Sequence, residues 1–456
     1  MMIPQTPLEN WIREKIGLSP TAGMTREDID RYQLRKIRET ITYLKERSPF
    51  YHRRLAGLSA EKLGCLEDVA LIPFTSAADI LDNDLKFLCV SQDAVERVVT
   101  LRSSGTTAAS KRIYFTADDL ELTADFFHHG MSTMVEPGQK VLCLMPGELP
   151  GSVGDLLLKG LRRMDVEVIV HGLVRDEKRV IDEIIAREID CLVGIPVQVL
   201  ALARNGNTKS IPANRIKSVL LSADYAPDAI VKEINRVWEC PVFNHYGMTE
   251  TGLGGGVDCR ALGGYHLREA DLYFEIVDPD TGRPLADGEE GEVVFSTLTR
   301  AGMPLIRYRT GDIARFLPEP CPCGTILKRL NHVKGRLNGK VWIGKGIGLD
   351  ISDLDEALFP LPGLINYQAE VMGEEGKDFL NVTLFMNFPM LKTSRAYFLG
   401  YPYEDATVQQ VREALTHIPT VRDAIAEGNL HLGPIRFSKE NWLTNGSVKK
   451  TISDRR

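Results

Sequence analysis

Between residues 140 and 247 five short apolar runs recur, with helical text between most of them: KVLCLM (140–145), VEVIVHG (166–172), CLVGIP (191–196), KSVLLSAD (217–224) and PVFNHYG (241–247). Each is rich in Val, Ile or Leu and is too short for a buried helix. Continuous apolar runs of this length suit strands covered on both faces, so the region predicts a parallel sheet flanked by helices. In such sheets ligands bind outside the carboxyl ends of the strands. That places Ser222, Ala223 and Asp224, and the stretch Asn244-His245-Tyr246-Gly247, on a predicted binding rim.

The flanking sequence has other rhythms. Leu34, Ile37, Ile41 and Leu44 form a helical stripe that breaks at Ser48-Pro49. Thr116 and Asp119 form the pattern of a capping box, followed by apolar residues on one helix face. His128 and His129 lie on that helix; neighbours there point about 100° apart, so the pair is not expected to chelate. After residue 270, apolar and polar residues alternate around Pro, Gly and Asp turns, the pattern of antiparallel strands. The segment RLNHVKGRLNGK is glycine-bearing and poor in apolar residues, which suits a hinge. Beyond it, short strands such as NVTLFMNF mix with helices such as VQQVREALTHI. The expected fold is α/β: a large N-terminal domain (1–337) with helix-flanked sheets and an antiparallel β part (about 257–337), then a small α+β domain (338–456).

LRSSGTTAASKRIYFT (101–116) buries almost nothing in its middle. Ser103, Ser104, Gly105, Thr106 and Thr107 offer backbone N–H groups and hydroxyls, and Lys111 adds positive charge, a combination that suits an anion such as a phosphate. Read alone, such a loop is more often a plain polar turn. The formal net charge of -7 disfavours a nucleic-acid surface. No apolar run reaches the ~18 residues of a membrane span, and the N-terminus lacks a signal-peptide core, so the expected location is the cytoplasm. Eight cysteines in such a chain argue against a disulfide framework. Cys65, Cys89, Cys143, Cys191 and Cys240 read as small buried hydrophobes.

SSGTT (103–107), NHYGMTE (244–250), RYRTGD (307–312) and Gly335-Arg336 occur in the order found in adenylate-forming enzymes. With ERSPFYHRRL and MPLIRYRTGD, nearly the whole chain resembles the phenylacetate–coenzyme A ligase branch of the acyl- and aryl-CoA synthetases. The resemblance implies a two-step reaction: a small carboxylic acid, aromatic in this branch, attacks ATP to give acyl-AMP and pyrophosphate, and coenzyme A then displaces AMP. It also implies that the small domain rotates between the steps.

The resemblance assigns roles residue by residue. Ser103 to Thr107 and Lys111 would hold the β- and γ-phosphates. Tyr246 would pack on adenine, Thr249 would meet the α-phosphate and Glu250 would coordinate Mg²⁺, a hard cation that prefers carboxylate and phosphate oxygens. Asn244, Gly247, Met248, Ser222, Ala223 and Asp224 would complete the nucleotide surroundings; His245, beside Tyr246, reads either as lining the acyl pocket without acid–base work or as satisfying a backbone carbonyl. Asp312 would accept both ribose hydroxyls, and Arg336 would steady the nucleotide.

Two departures stand out. Ala108, Ala109 and Ser110 replace the usual Gly-Pro before Lys111, and Asn338-Gly339 replace the acidic hinge pair. At the C-terminus, NGSVKK puts Ser447 where the family has a lysine. Losing one such preorganised charge contact costs about 10²–10³ in rate. Lys449, two places on, is the candidate substitute, and solvated tail charges are the plain alternative for Lys449 and Lys450. An adenylate-forming enzyme that does not use coenzyme A, or a catalytically impaired nucleotide-binding homologue, stays open at this point. Cys259, His266, Cys321 and Cys323 form a separate set, three sulfurs and an imidazole, which fits a closed tetrahedral Zn²⁺ site of structural type; similar sets occur in some members of the branch. The sequence is compatible with a homodimer.

Overall fold

A computed structural model describes residues 3–102, 110–344, 346–374, 377–387, 403–438, 442–444 and 450–456. The chain opens with helices α1 (Pro7–Lys15), α2 (Arg26–Arg47), α3 (Pro49–Arg54) and α4 (Ala77–Asn83), then strands β1 (Arg97–Arg102) and β2 (Ser110–Phe115). There follow α5 (Ala117–Met131), β3 (Lys140–Cys143), α6 (Val153–Leu161), β4 (Glu167–Val170), α7 (Glu177–Arg187), β5 (Cys191–Gly194), α8 (Pro196–Arg204), β6 (Ser218–Leu221), α9 (Asp228–Trp238) and β7 (Val242–Tyr246). Next come β8 (Gly256–Asp258), β9 (Tyr265–Leu267), β10 (Leu272–Val277), β11 (Gly291–Thr297), β12 (Tyr308–Ala314), β13 (Arg329–Leu330) and β14 (Gly335–Arg336). The last part holds β15 (Val341–Ile343), β16 (Ile347–Leu349), α10 (Ile351–Leu358), β17 (Leu364–Glu374), β18 (Lys377–Met386), α11 (Tyr403–His417), α12 (Pro419–Ala426), β19 (Leu430–Ser438) and β20 (Ile452–Asp454).

These elements form two compact units: Met1–Gln139 with Pro146–Val170 and Phe243–Val333, and Lys140–Met145 with His171–Val242 and Lys334–Arg456. In the first unit β10, β11 and β12 form an antiparallel sheet, and β7, β8, β9 and β13 form another antiparallel run. β1 and β2 pair from Arg97↔Phe115 to Arg102↔Ser110, so the flanks of the hydroxyl-rich segment are fixed side by side. Helix α5 starts at the capping box read from sequence: Asp119 N donates to Thr116 Oγ1 at 3.1 Å and Thr116 N to Asp119 Oδ2 at 3.0 Å. Asp119 also accepts from Ala301 N and Gly302 N, at 2.8 and 3.0 Å, so one cap pins a distant turn.

In the second unit β3, β5 and β6 are parallel and buried, with pairs such as Val141↔Cys191 and Leu192↔Val219. This is the expected helix-flanked parallel sheet, and the predicted strands fall within their sequence runs. The C-terminal part is a mixed sheet: β17 pairs antiparallel with β18, while β20 joins β17 and β19 joins β18 in parallel. Arg204 at the end of α8 donates to the carbonyls of Phe359 (2.9 Å), Leu361 (3.3 Å) and Leu364, tying α8 to the chain around α10. Cys89, Cys143, Cys191 and Cys240 are buried as expected, whereas Cys65 is exposed because it sits in a surface turn ahead of a short 3-10 helix.

Among the described residues Arg307 is one of the largest fully buried side chains. Its Nε donates to Glu275 at 3.1 Å, its Nη1 to the carbonyls of Ala70 and Ile72 at 2.9 and 2.8 Å, and its guanidinium lies 4.0 Å from the Phe74 ring centre. Removing one member of a buried pair leaves the other charge uncompensated. Arg307→Met is therefore expected to destabilise the protein by about 3–5 kcal/mol, and adding Glu275→Leu should recover much of the loss. Denaturant melts of the single and double variants measure this. A double variant no more stable than Arg307→Met would contradict the pairing.

Candidate active site

Three sequence-distant motifs meet in the first unit. Lys111 on β2 is ion-paired with Glu250 and donates to Tyr308 Oη at 3.0 Å, and Tyr308 Oη donates to Glu250 Oε1 at 3.1 Å. Glu250 is buried, 1% exposed, in the short turn Thr249–Thr251 after β7. Arg300 holds that turn from behind. It donates to the Glu250 carbonyl at 2.9 Å and to the Tyr114 carbonyl at 3.1 Å, and it lies 4.3 Å from the Phe115 ring centre. A second link joins the same motifs: Tyr246 Oη donates to Asp312 Oδ2 at 2.9 Å.

The NHYGMTE segment needs its glycine. A Cβ on Gly247 would lie 2.5 Å from the Leu253 carbonyl oxygen, because the chain folds straight back: Leu253 N donates to Met248 O at 2.9 Å. Asn244 is buried and bonded to Asp258 through its N–H at 2.8 Å and its amide at 3.2 Å. Asp258 also accepts from His332 Nε2 at 2.8 Å. His245 faces the rings of Phe126 and Phe127, 6.2 and 6.1 Å away between centres. Burial pushes its imidazole down to about 4, so it is neutral near pH 7. Met248 and Thr249 are half-buried at the head of the turn.

Ser222, Ala223, Asp224, Arg336 and the C-terminal tail belong to the second unit. Ser222 N donates to Gly194 O at 3.0 Å, and Ala223 takes a left-handed φ of 74°, strained for a residue with a Cβ. Arg336 is exposed on β14. Ser103, Ser104, Gly105, Thr106, Thr107 and Lys449 lie outside the described residues. Lys450 is described, and it is not a solvated tail charge. Its ammonium pairs with Asp355 and lies 3.5 and 4.1 Å from the ring centres of Tyr367 and Phe359; its N–H donates to Asp224 Oδ2 at 3.4 Å. Tyr367 Oη donates to Asp355 Oδ1 at 2.6 Å. Two carboxylates and a cation share this box because β20, which starts two residues after Lys450, adds to β17 just past Tyr367, with Ile452 opposite Ala369.

Cys259, His266, Cys321 and Cys323 are all buried, and their ligand atoms lie within 4.8 Å of one another. Cys259 Sγ is 3.6 Å from Cys321 Sγ, and Cys323 Sγ is 3.7 Å from His266 Nε2. A tetrahedron with metal–sulfur bonds of ~2.3 Å has edges of ~3.7 Å. The Cys-Pro-Cys-Gly knuckle closes through Gly324, which donates to Cys321 O at 2.9 Å with φ 76°. The hydrogen bond from Cys259 and the neighbouring His266 hold the Cys323 thiol well below the usual range.

Tyr308, Arg300, Asp258 and Asp355 were given no role by the sequence. Tyr308 lies inside RYRTGD, so the motif marked it; the other three carry no local signal, since each has a partner on a separate element, as Arg300 has in Glu250, Asp258 in His332 and Asp355 in Lys450.

Residues 89–300 match the profile of the AMP-binding enzyme family. The phenylacetate–coenzyme A ligase of Thermus thermophilus is 28% identical over 365 residues, 77% of this chain and 80% of that protein. The phenylacetate–coenzyme A ligase of Escherichia coli is 28% identical over 378 residues, 80% of this chain and 84% of that one. A crystal structure of 2-hydroxyisobutyryl-CoA ligase in the postadenylation state, in complex with 2-HIB-AMP, has the same fold: TM-score 0.80, 19% identity, 95% of this chain and 91% of that one. The chain thus carries an AMP-binding enzyme match in residues 89–300 and is similar over most of its length to phenylacetate–coenzyme A ligases.

Burial raises the Asp224 carboxyl to about 6, with Asp355 adding to the rise and Lys450 opposing it. An acid with a higher value folded than unfolded binds its proton more tightly when folded. Its contribution is therefore greatest below the ordinary value of 3.8 and is lost as pH climbs to about 6. Asp224→Asn should remove a fall of up to about 3 kcal/mol across that window. Urea melts from pH 4 to 7 test this; parallel stability curves for the two proteins would contradict it.

Proposed function

We propose that this enzyme uses ATP to activate a small aromatic carboxylic acid as its acyl-adenylate and then transfers the acyl group to coenzyme A. The observation that carries the proposal is the meeting of Lys111, Glu250, Tyr308, Tyr246 and Asp312, which brings one motif for each part of the nucleotide into a single unit. In the first step a carboxylate oxygen of the acid attacks the α-phosphorus and pyrophosphate leaves. In the second the coenzyme A thiolate attacks the acyl carbon and AMP leaves with the bonding pair.

Lys111 is the cation for the phosphate tail, together with Ser103, Ser104, Gly105, Thr106 and Thr107. Its pairing with Glu250 supports this, because a long amine held by one carboxylate can exchange it for phosphate oxygens. Glu250 is a hard oxygen donor, buried and already facing a cation, so it fits Mg²⁺, which when bound would neutralise phosphate charge. Thr249 is set to meet the α-phosphate, Tyr246 to stack on adenine and Asp312 to take the ribose hydroxyls. Asn244, Gly247 and Met248 shape the turn, and Ser222, Ala223, Asp224 and Arg336 are the remaining nucleotide contacts. Neutral His245 between Phe126 and Phe127 supports an aromatic wall for the acid. Since Lys450 is engaged by Asp355, Lys449 is the lysine left to offset Ser447. Cys259, His266, Cys321 and Cys323 suit a structural Zn²⁺, because four buried ligands at tetrahedral spacing leave no open position.

Carboxylate-dependent ATP–pyrophosphate exchange tests the first step across aromatic and aliphatic acids. Exchange with an aromatic acid, and AMP release that requires coenzyme A, are expected. No exchange with any acid would contradict catalysis, and AMP release without coenzyme A would favour a different acceptor. Glu250→Gln and Lys111→Met should each slow exchange by about 10²-fold or more, and Lys449→Ala should do the same if that lysine has taken the role; unchanged exchange would remove the assignment. Elemental analysis should find about one zinc per chain resistant to mild chelation; protein purified metal-free without loss of its melting temperature would contradict the zinc reading.

A further inference from the structure

The outer face of helix α5 carries Asp125, His128 and His129, at positions i, i+3 and i+4, and none of them enters the site above. The angular separation of adjacent histidines argues against chelation by that pair alone, but a third ligand stands beside them. The two imidazole rings converge to 4.3 Å between centres, and one ligand atom from each of the three residues lies within 4.8 Å of the other two. The i, i+4 relation that places two side chains over one helix turn holds between Asp125 and His129, whose Oδ1 and Nε2 are 3.5 Å apart. Both side chains are about a quarter exposed, so an ion can reach them: 28% for Asp125 and 27% for His129.

We propose that Asp125, His128 and His129 form a second metal site, distinct from the Cys/His cluster, that takes a divalent transition-metal ion such as Zn²⁺ or Ni²⁺. Two imidazoles and a single carboxylate oxygen select such ions over Mg²⁺ or Ca²⁺, which want more oxygen donors. Three protein ligands leave room for water, so the ion is exchangeable, unlike one held by four buried ligands.

The carboxylate is oriented for the task. Asp125 Oδ2 accepts from Trp11 Nε1 of α1 at 2.8 Å, which turns Oδ1 toward His129. His129 in turn lies against the Trp11 ring, 5.6 Å between centres. Two cations stand near, and each has a closer partner elsewhere. Arg163 is 3.8 Å from Oδ1 but donates to Glu121 at 2.7 Å, and Lys15 is 3.7 Å from Oδ2 but 2.9 Å from Asp271. A metal at Oδ1 therefore displaces one long contact. The inference does not depend on the proposed reaction.

The test uses the full-length protein loaded with zinc and dialysed against a weak chelator, then titrated with Zn²⁺ or Ni²⁺ by calorimetry. Wild type should bind about one further ion, removable by chelator. His128→Ala/His129→Ala should abolish that binding, and Asp125→Asn should weaken it at least about tenfold. Melting of each variant without added metal checks that the fold is kept; Asp125→Asn retains an oxygen for Trp11 and guards against loss of the α1 contact. An unchanged isotherm in the double-histidine variant, or no labile ion in wild type, would overturn the proposal.

Discussion

A carboxylate buried beside a lysine organises the first unit. Glu250 is nearly inaccessible, and a lone charge there would cost several kcal/mol. Lys111 compensates it, Tyr308 bridges the two, and Arg300 anchors the turn from its backbone side. Each of these comes from a different stretch of chain: the strand after the hydroxyl-rich segment, the turn after β7, the approach to β12 and β12 itself. Satisfying one buried charge thus fixes the mutual placement of the motifs that a nucleotide would need. The second link, Tyr246 to Asp312, repeats the logic with a neutral donor. The proposed catalysis uses an ion pair that the fold must make anyway for its own stability, and the same pair is what phosphate and a divalent cation would take apart.

Two further clusters obey the same rule that buried polar groups must be satisfied. Asp258 holds Asn244 on one side and His332 on the other, stiffening the strand that carries the NHYG residues. In the second unit Lys450 sits between Asp355 and the rings of Tyr367 and Phe359, with its backbone on Asp224. That box commits the second of the two tail lysines to structure. The three thiols and the imidazole around Cys259 are another buried polar cluster, and their spacing matches what a tetrahedral ion needs.

Local chemistry was readable from sequence. The apolar runs at 140–145, 191–196 and 217–224 became parallel strands because nothing but a covered sheet buries them, and the Thr116–Asp119 box caps α5 because both bonds are made within four residues. Run PVFNHYG was grouped with these strands, and its start does join β6, where Val219 N donates to Pro241 O at 3.1 Å, while its end pairs antiparallel with β8. What sequence did not disclose involves long separations: Arg300 on Glu250, Asp355 with Lys450, Arg307 with Glu275. The helical-wheel reading of His128 and His129 compared the histidines with each other and so did not include Asp125, which lies a turn earlier and 3.5 Å from His129.

A crystal structure with ATP, Mg²⁺ and an unreactive acid analogue tests the central claim most directly. The account predicts the ribose hydroxyls on Asp312, Lys111 moved from Glu250 to the phosphate tail, and the ion bound at the vacated carboxylate oxygen. A nucleotide bound elsewhere, with the Lys111–Glu250 pair intact, would contradict it.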